Sequence, residues 1–115
     1  MIMAETIEKT TQINMLYDFY QPLLTAKQDL YMRLYYGDDY SLGEIAQLQH
    51  VSRQAVYDNL QRTVKTLQRY EQQLHLYQYF RQRSQLLQNL QKQIAQKYAT
   101  DGDLKTVVEE LMKLE

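Results

Sequence analysis

Apolar residues recur at helical spacing along almost the whole chain, with polar residues filling the positions between. Ile7, Ile13, Leu16, Tyr17 and Tyr20 lie near one helical stripe, which predicts a first helix opened by Thr6 or Glu5. Pro22 closes it, because the residue before a proline is pushed out of the helical region. Thr25 and Gln28 have the spacing of a capping box, a hydroxyl at the N-cap and an amide side chain three residues on. The helix they open carries Leu30, Leu34, Tyr35 and Tyr36, and Gly37 is expected in the left-handed position just past its end. Ser41 and Glu44 repeat the box and start a short helix through about Gln49, and Ser52 can cap the next one. Two caps eleven residues apart leave room for a two-turn helix, a tight turn and a new helix. That is the arithmetic of a helix-turn-helix.

From Arg53 no glycine or proline appears until Gly102. An unbroken helix to Tyr98 would be about 70 Å long at about 1.5 Å per residue. A compact domain of this size is only about 35 Å across, so the segment must bend back or pair with another copy. Leu60, Leu67 and Leu74 repeat every seven residues, as do Phe80, Leu87 and Ile94, but the step from Leu74 to Phe80 is six. The register changes near residues 75–80, which marks a bend, a break or a change of packing partner. Residues 99–103 interrupt the pattern. Asp103 is expected to cap a last helix with Leu104, Val107, Val108, Leu111 and Leu114, packed on the long helix in cis or across a dimer. The fold class expected is all-α: a helix-turn-helix unit over residues 1–70, then a helical extension over 71–115 that mediates self-association.

Composition sharpens this picture in two ways. The 115 residues include no cysteine, which excludes disulfides and thiol chemistry, and no apolar run approaches the roughly 18 residues that span a bilayer. Membrane insertion is not expected, and the location expected is cytoplasmic. The net charge of −1 conceals an uneven distribution. Residues 1–50 carry three cations against seven carboxylates, −4; residues 51–98 carry eight cations against Asp58 and Glu71, +6; residues 99–115 carry two cations against five carboxylates, −3. A basic stripe lies between acidic ends, and local charge governs attraction to a polyanion.

The candidate chemistry sits at the start of that stripe. In "EIAQLQHVSRQAV", Ile45 and Ala46 lie inside the first helix, Val51 packs the turn, Ser52 caps the second helix, and Val56 and Leu60 anchor it inward. Arg53, Gln54, Tyr57 and Gln61 are then placed to read base edges in a major groove, and Ser52 at the start of the helix is counted with them among the nucleic-acid-binding residues. Arg62, Lys65 and Arg69 are placed to hold phosphates, which position a protein without reading sequence. Asp58 runs against this reading, since phosphate repels a carboxylate. Gln49 and His50 also depart from the common turn pattern of an apolar residue followed by glycine, with Leu48 one place early. His50 and His75 have no metal-ligand spacing, Asp38 and Asp39 read as a solvated loop, and most of the eleven tyrosines fall on apolar stripes. No cofactor, metal site or catalytic arrangement is expected, so the protein reads as no enzyme.

The segments "LYYGDDYSLGEIA" and "VSRQAVYDN" carry a resemblance to the small YlxM-type proteins of Gram-positive bacteria, over about Glu8 to Ser84, with a poor match beyond. More distantly, Leu24 to Leu67 is similar to region 4 of bacterial sigma factors. The resemblance implies an all-helical protein with a wingless helix-turn-helix and a long helical extension, serving the signal recognition particle pathway as a regulator. This family has Phe-Gly where this chain has Gln49 and His50. The function expected is a nucleic-acid-binding regulatory protein whose partners are DNA or structured RNA, a second copy, and signal recognition particle components. The competing reading is a non-catalytic interaction module that docks a protein or ribonucleoprotein, with the helix-turn-helix kept as scaffold.

Overall fold

The computed structural model describes residues 6–114, and among these it contains six α-helices and no strand. They are α1 (Ile7–Tyr20), α2 (Ala26–Met32), α3 (Leu42–Gln49), α4 (Arg53–Leu74), α5 (Leu76–Lys97) and α6 (Gly102–Lys113). Contacts divide the chain into a first unit ending at His75 and a second beginning at Leu76.

The starts of the helices follow from side-chain chemistry. Thr6, Thr25, Ser41 and Ser52 each accept a hydrogen bond from a backbone N–H one turn on, and Thr25–Gln28 and Ser41–Glu44 close as complete capping boxes. The bonds from Ser41 hold the exposed Glu44 carboxyl below its usual range. Thr6 is thus the first cap; the alternative, Glu5, lies outside the described residues.

Three details differ from the sequence expectation. Gly37 is not left-handed. The end of α2 widens into a π-helical turn, Arg33–Gly37, in which the Asp38 N–H reaches back to the Arg33 carbonyl, and the left-handed residue is Asp39, with φ of 58°. An Asp tolerates that conformation because its short polar side chain bonds locally, so the glycine is not required for it. Asp101, rather than Asp103, caps α6: its carboxylate accepts the Leu104 N–H at 3.1 Å, so the helix begins at Gly102. Ile7 is 87% exposed and contributes nothing to the core.

In the first unit α1, α2 and α3 all pack on α4. The inward stripe of α4 is Val56, Leu60, Val64 and Leu67, met by Ile13, Leu16 and Tyr20 of α1, Tyr31 and Met32 of α2, and Ile45 and Ala46 of α3, all buried. Thr63 is buried beside them and donates its hydroxyl to the Asn59 carbonyl of its own helix at 2.9 Å, which removes the cost of an unmet donor. Tyr20 is also buried, 5.8 Å from the Tyr70 ring, and its hydroxyl donates to the Glu71 carboxylate at 2.6 Å.

Tyr17 donates similarly to Asp29 of α2. Burial first, and then that carboxylate, push the Tyr17 phenol from 10.0 up to about 12. Because the folded phenol keeps its proton where the unfolded one loses it, this contribution to stability is intact below pH 10 and is lost as pH rises towards 12. The stability gap between wild type and Tyr17→Phe should therefore hold up to pH 10 and narrow as pH rises from 10 towards 12, measured by urea unfolding. A constant gap would contradict the assignment.

The expected break in the long helical run occurs at His75, which takes a left-handed conformation (φ 56°, ψ 28°) and ends α4. In the second unit α5 and α6 pack on each other. Its buried residues are few: Ile94 of α5 and Val108 of α6.

Candidate nucleic-acid interface

The first helix of the motif, α3, ends at His50, whose left-handed backbone (φ 56°, ψ 44°) lets the chain turn within three residues into α4. The Val51 N–H bonds to the Ala46 carbonyl at 3.1 Å, which satisfies an end of α3 and fixes the turn. Histidine thus does here what glycine usually does, at a steric cost that glycine avoids. Leu48 does not replace the missing apolar turn residue, for it is 52% exposed while Gln49 is half-buried.

Two side-chain rows rise from α4. Gln54, Tyr57 and Gln61 form one, spaced by three and four residues; Asp58, Arg62, Lys65 and Arg69 form the other, spaced by four, three and four. Ser52, Arg53, Gln54, Arg62, Lys65 and Arg69 are exposed. Tyr57 and Gln61 are half-buried, so Tyr57 stands less clear of the surface than its position in the sequence suggests.

The first row is bonded to itself and its neighbours. Gln54 donates to the Asp58 carboxylate at 2.9 Å, and Gln61 donates to the Tyr57 hydroxyl at 3.2 Å. Pairs four residues apart on an exposed helix are worth only about 0.2–0.5 kcal/mol, so a base edge can displace them. The Asp58 carboxylate accepts from a neutral amide, and the objection its charge raises stands. The Ser52 hydroxyl accepts the Ala55 N–H at 3.0 Å and serves as a cap.

Beyond Asp58, the cations of the second row, Arg62, Lys65 and Arg69, line a shallow open surface with Thr66, Gln68 and Gln72, and no carboxylate is part of that lining. Thr66 donates to the Arg62 carbonyl at 2.9 Å and accepts from the Arg69 guanidinium at 3.3 Å, which steers Arg69 along the helix. Both carboxylates of α4 are engaged elsewhere, Asp58 by Gln54 and Glu71 by Tyr20.

Gly43 is the participant that sequence reasoning missed. A Cβ built there would lie 3.0 Å from Arg53 Nε, 3.1 Å from its terminal nitrogen and 3.2 Å from Cζ. The guanidinium lies against the first turn of α3, where only a glycine leaves it room. The available signal was a glycine inside a capped helix, where it costs up to about 1 kcal/mol relative to alanine and so suggests a packing reason.

Comparison with known proteins agrees with this geometry. Residues 7–107 match the family model UPF0122, described as "Putative helix-turn-helix protein, YlxM / p13 like". The match carries the resemblance well past Ser84, where the sequence reading ended it. A UPF0122 protein of Anoxybacillus flavithermus is 60% identical over 109 residues, covering 95% of this chain and 99% of that protein. One from Limosilactobacillus reuteri is 54% identical over 109 residues (95% and 96%), and one from Bacillus pumilus 51% over 110 residues (96% and 99%). No helix among the described residues is long and apolar enough to cross a membrane.

Proposed function

The chain belongs to the UPF0122 family of YlxM/p13-like helix-turn-helix proteins, and from that premise we propose that α4 binds nucleic acid. In this reading the protein is a non-catalytic regulator whose ligand is DNA or structured RNA. The signal recognition particle components that the YlxM resemblance implies are its other partners.

The observation that carries the proposal is the surface that Arg62, Lys65 and Arg69 line beside the helix-turn-helix, whose lining includes three cations and no carboxylate. Three cations on successive turns follow a phosphate backbone, and the α4 stretch from Arg53 to Arg69 is about 24 Å long at about 1.5 Å per residue. Arg53, Gln54, Tyr57 and Gln61 then face the bases, with Arg53 held against Gly43.

The test is binding to duplex DNA and to structured RNA across a range of salt. The logarithm of affinity should fall linearly with the logarithm of salt, because each phosphate contact releases counterions. Binding insensitive to salt would overturn the proposal. Gly43→Ala should displace the Arg53 guanidinium, the far end of a flexible chain, while leaving the melting temperature unchanged or slightly raised. We expect a fivefold or greater loss of preference for the best sequence (about 1 kcal/mol) with little change in salt slope.

A second reading has its own support. The hydrogen bonds Gln54–Asp58 and Gln61–Tyr57 occupy the groups that would read bases, which suits a module that docks a protein or ribonucleoprotein without reading sequence. Equal affinity for unrelated duplexes, beside tighter binding to a protein partner, would favour it.

A further inference from the structure

We infer that the second unit is half of an interface, and that its α5–α6 hairpin pairs with the same hairpin of a second copy to complete a four-helix arrangement. This inference does not rest on nucleic-acid binding. It deepens the self-association expected from the sequence by assigning the surface.

The hairpin is underfilled as it stands. Ile94 and Val108, at 7% and 4% exposure, are its buried apolar residues. Most helical stability in proteins comes from packing an apolar face, and two helices with so small a shared core cannot supply it. Tyr77, Phe80, Leu87 and Met112 are half-buried, and other apolar residues lie outside in an ordered row. On α6, Leu104, Val107, Leu111 and Leu114 recur at intervals of three, four and three residues, and all four are exposed, Val107 at 54% and Leu114 at 84%. That is the seam spacing of a helix that packs against other helices. On α5, Leu86 and Leu90 are exposed at 68% and 42%. Leu86 and Leu87 line a single depression with Arg83, Leu111 and Leu114, so the two rows meet there.

Two observations select a second copy as the occupant. The first is area. The six exposed residues present roughly 600 Å² of apolar surface, at the upper end for a monomer; doubled, this is about 1,200 Å², where specific interfaces begin. The second is charge. The α5 helix carries Arg81, Arg83, Lys92 and Lys97 with no carboxylate, whereas α6 carries Asp103, Glu109 and Glu110 against Lys105 and Lys113. Asp103 and Glu110 fall in line with Val107 and Leu114, four, three and four residues apart, and Lys97 falls seven residues after Leu90. A two-fold interface must be complementary to itself, and a face with a cationic helix beside an acidic one meets that condition when α6 lies against α5 of the other copy.

Sedimentation equilibrium on the full chain tests this. We expect twice the chain mass of 13.9 kDa at tens of micromolar. Leu86→Glu with Leu111→Glu should raise the dissociation constant at least a hundredfold. Asp103→Lys with Glu110→Lys, both at exposed positions that leave the buried Ile94 and Val108 unchanged, should raise it at least tenfold, by an amount that shrinks in 1 M salt. A monomer across the concentration range, whatever then covers the face, would overturn the inference. So would a dimer whose dissociation constant neither pair of substitutions moves.

Discussion

Leu60→Ala should lower the stability of the first unit by roughly 3–4 kcal/mol, the usual cost of a large-to-small change at a fully enclosed site. Leu60 has no exposed surface and sits midway along the inward stripe of α4, the helix against which α1, α2 and α3 all pack. The loss includes the transfer energy of the deleted carbons and the void left among residues that already hold each other in place. A unit of this size has about 4–11 kcal/mol in total, so about a quarter or more disappears. The melting temperature should fall by roughly 15–25 °C, followed by circular dichroism. Leu48→Ala is the control: the same atoms are removed from α3, but at a position 52% exposed, and the shift should stay within a few degrees. If Leu60→Ala moved the midpoint no further than Leu48→Ala, α4 would not be the centre of the core.

The second large effect concerns binding. Replacing Arg62, Lys65 and Arg69 together with glutamine should weaken nucleic-acid affinity on the order of a hundredfold at physiological salt and make the salt slope shallower by about three. All three side chains are exposed and outside the core, so the melting temperature should stay within about 3 °C. The effect should be the same for every sequence tested, because phosphates carry no sequence information. Arg53→Ala and Gln54→Ala should behave differently, reducing discrimination between sequences while changing the slope by at most about one. A slope unchanged in the triple variant would put the phosphate contacts elsewhere.

Much of the first unit was legible in the sequence because short-range chemistry determined it. Thr25–Gln28 and Ser41–Glu44 carry both halves of a capping box within four residues, and the structure closes both. The stripe Val56, Leu60, Val64, Leu67 required only helical periodicity. The failures share another cause. A glycine just past an apolar helical stripe points to a left-handed site at Gly37, but the widened turn at Arg33–Gly37 shifts the frame and moves that conformation to Asp39. Asp101 and Asp103 flank one glycine, and either could serve as a cap; which one does depends on where the chain leaves α5. The site was harder to read. Rows of side chains on α4 follow from spacing, but the packing of Arg53 on Gly43, and the bonds from Gln54 to Asp58 and from Gln61 to Tyr57, depend on how rotamers settle.

The Tyr20 hydroxyl has an influence beyond its own burial. By donating to the Glu71 carboxylate it ties the last residue of α1 to the last turn of α4, so the two helices are joined there by a polar bond as well as by apolar packing. A phenylalanine at that position would keep the ring beside Tyr70 and lose that bond.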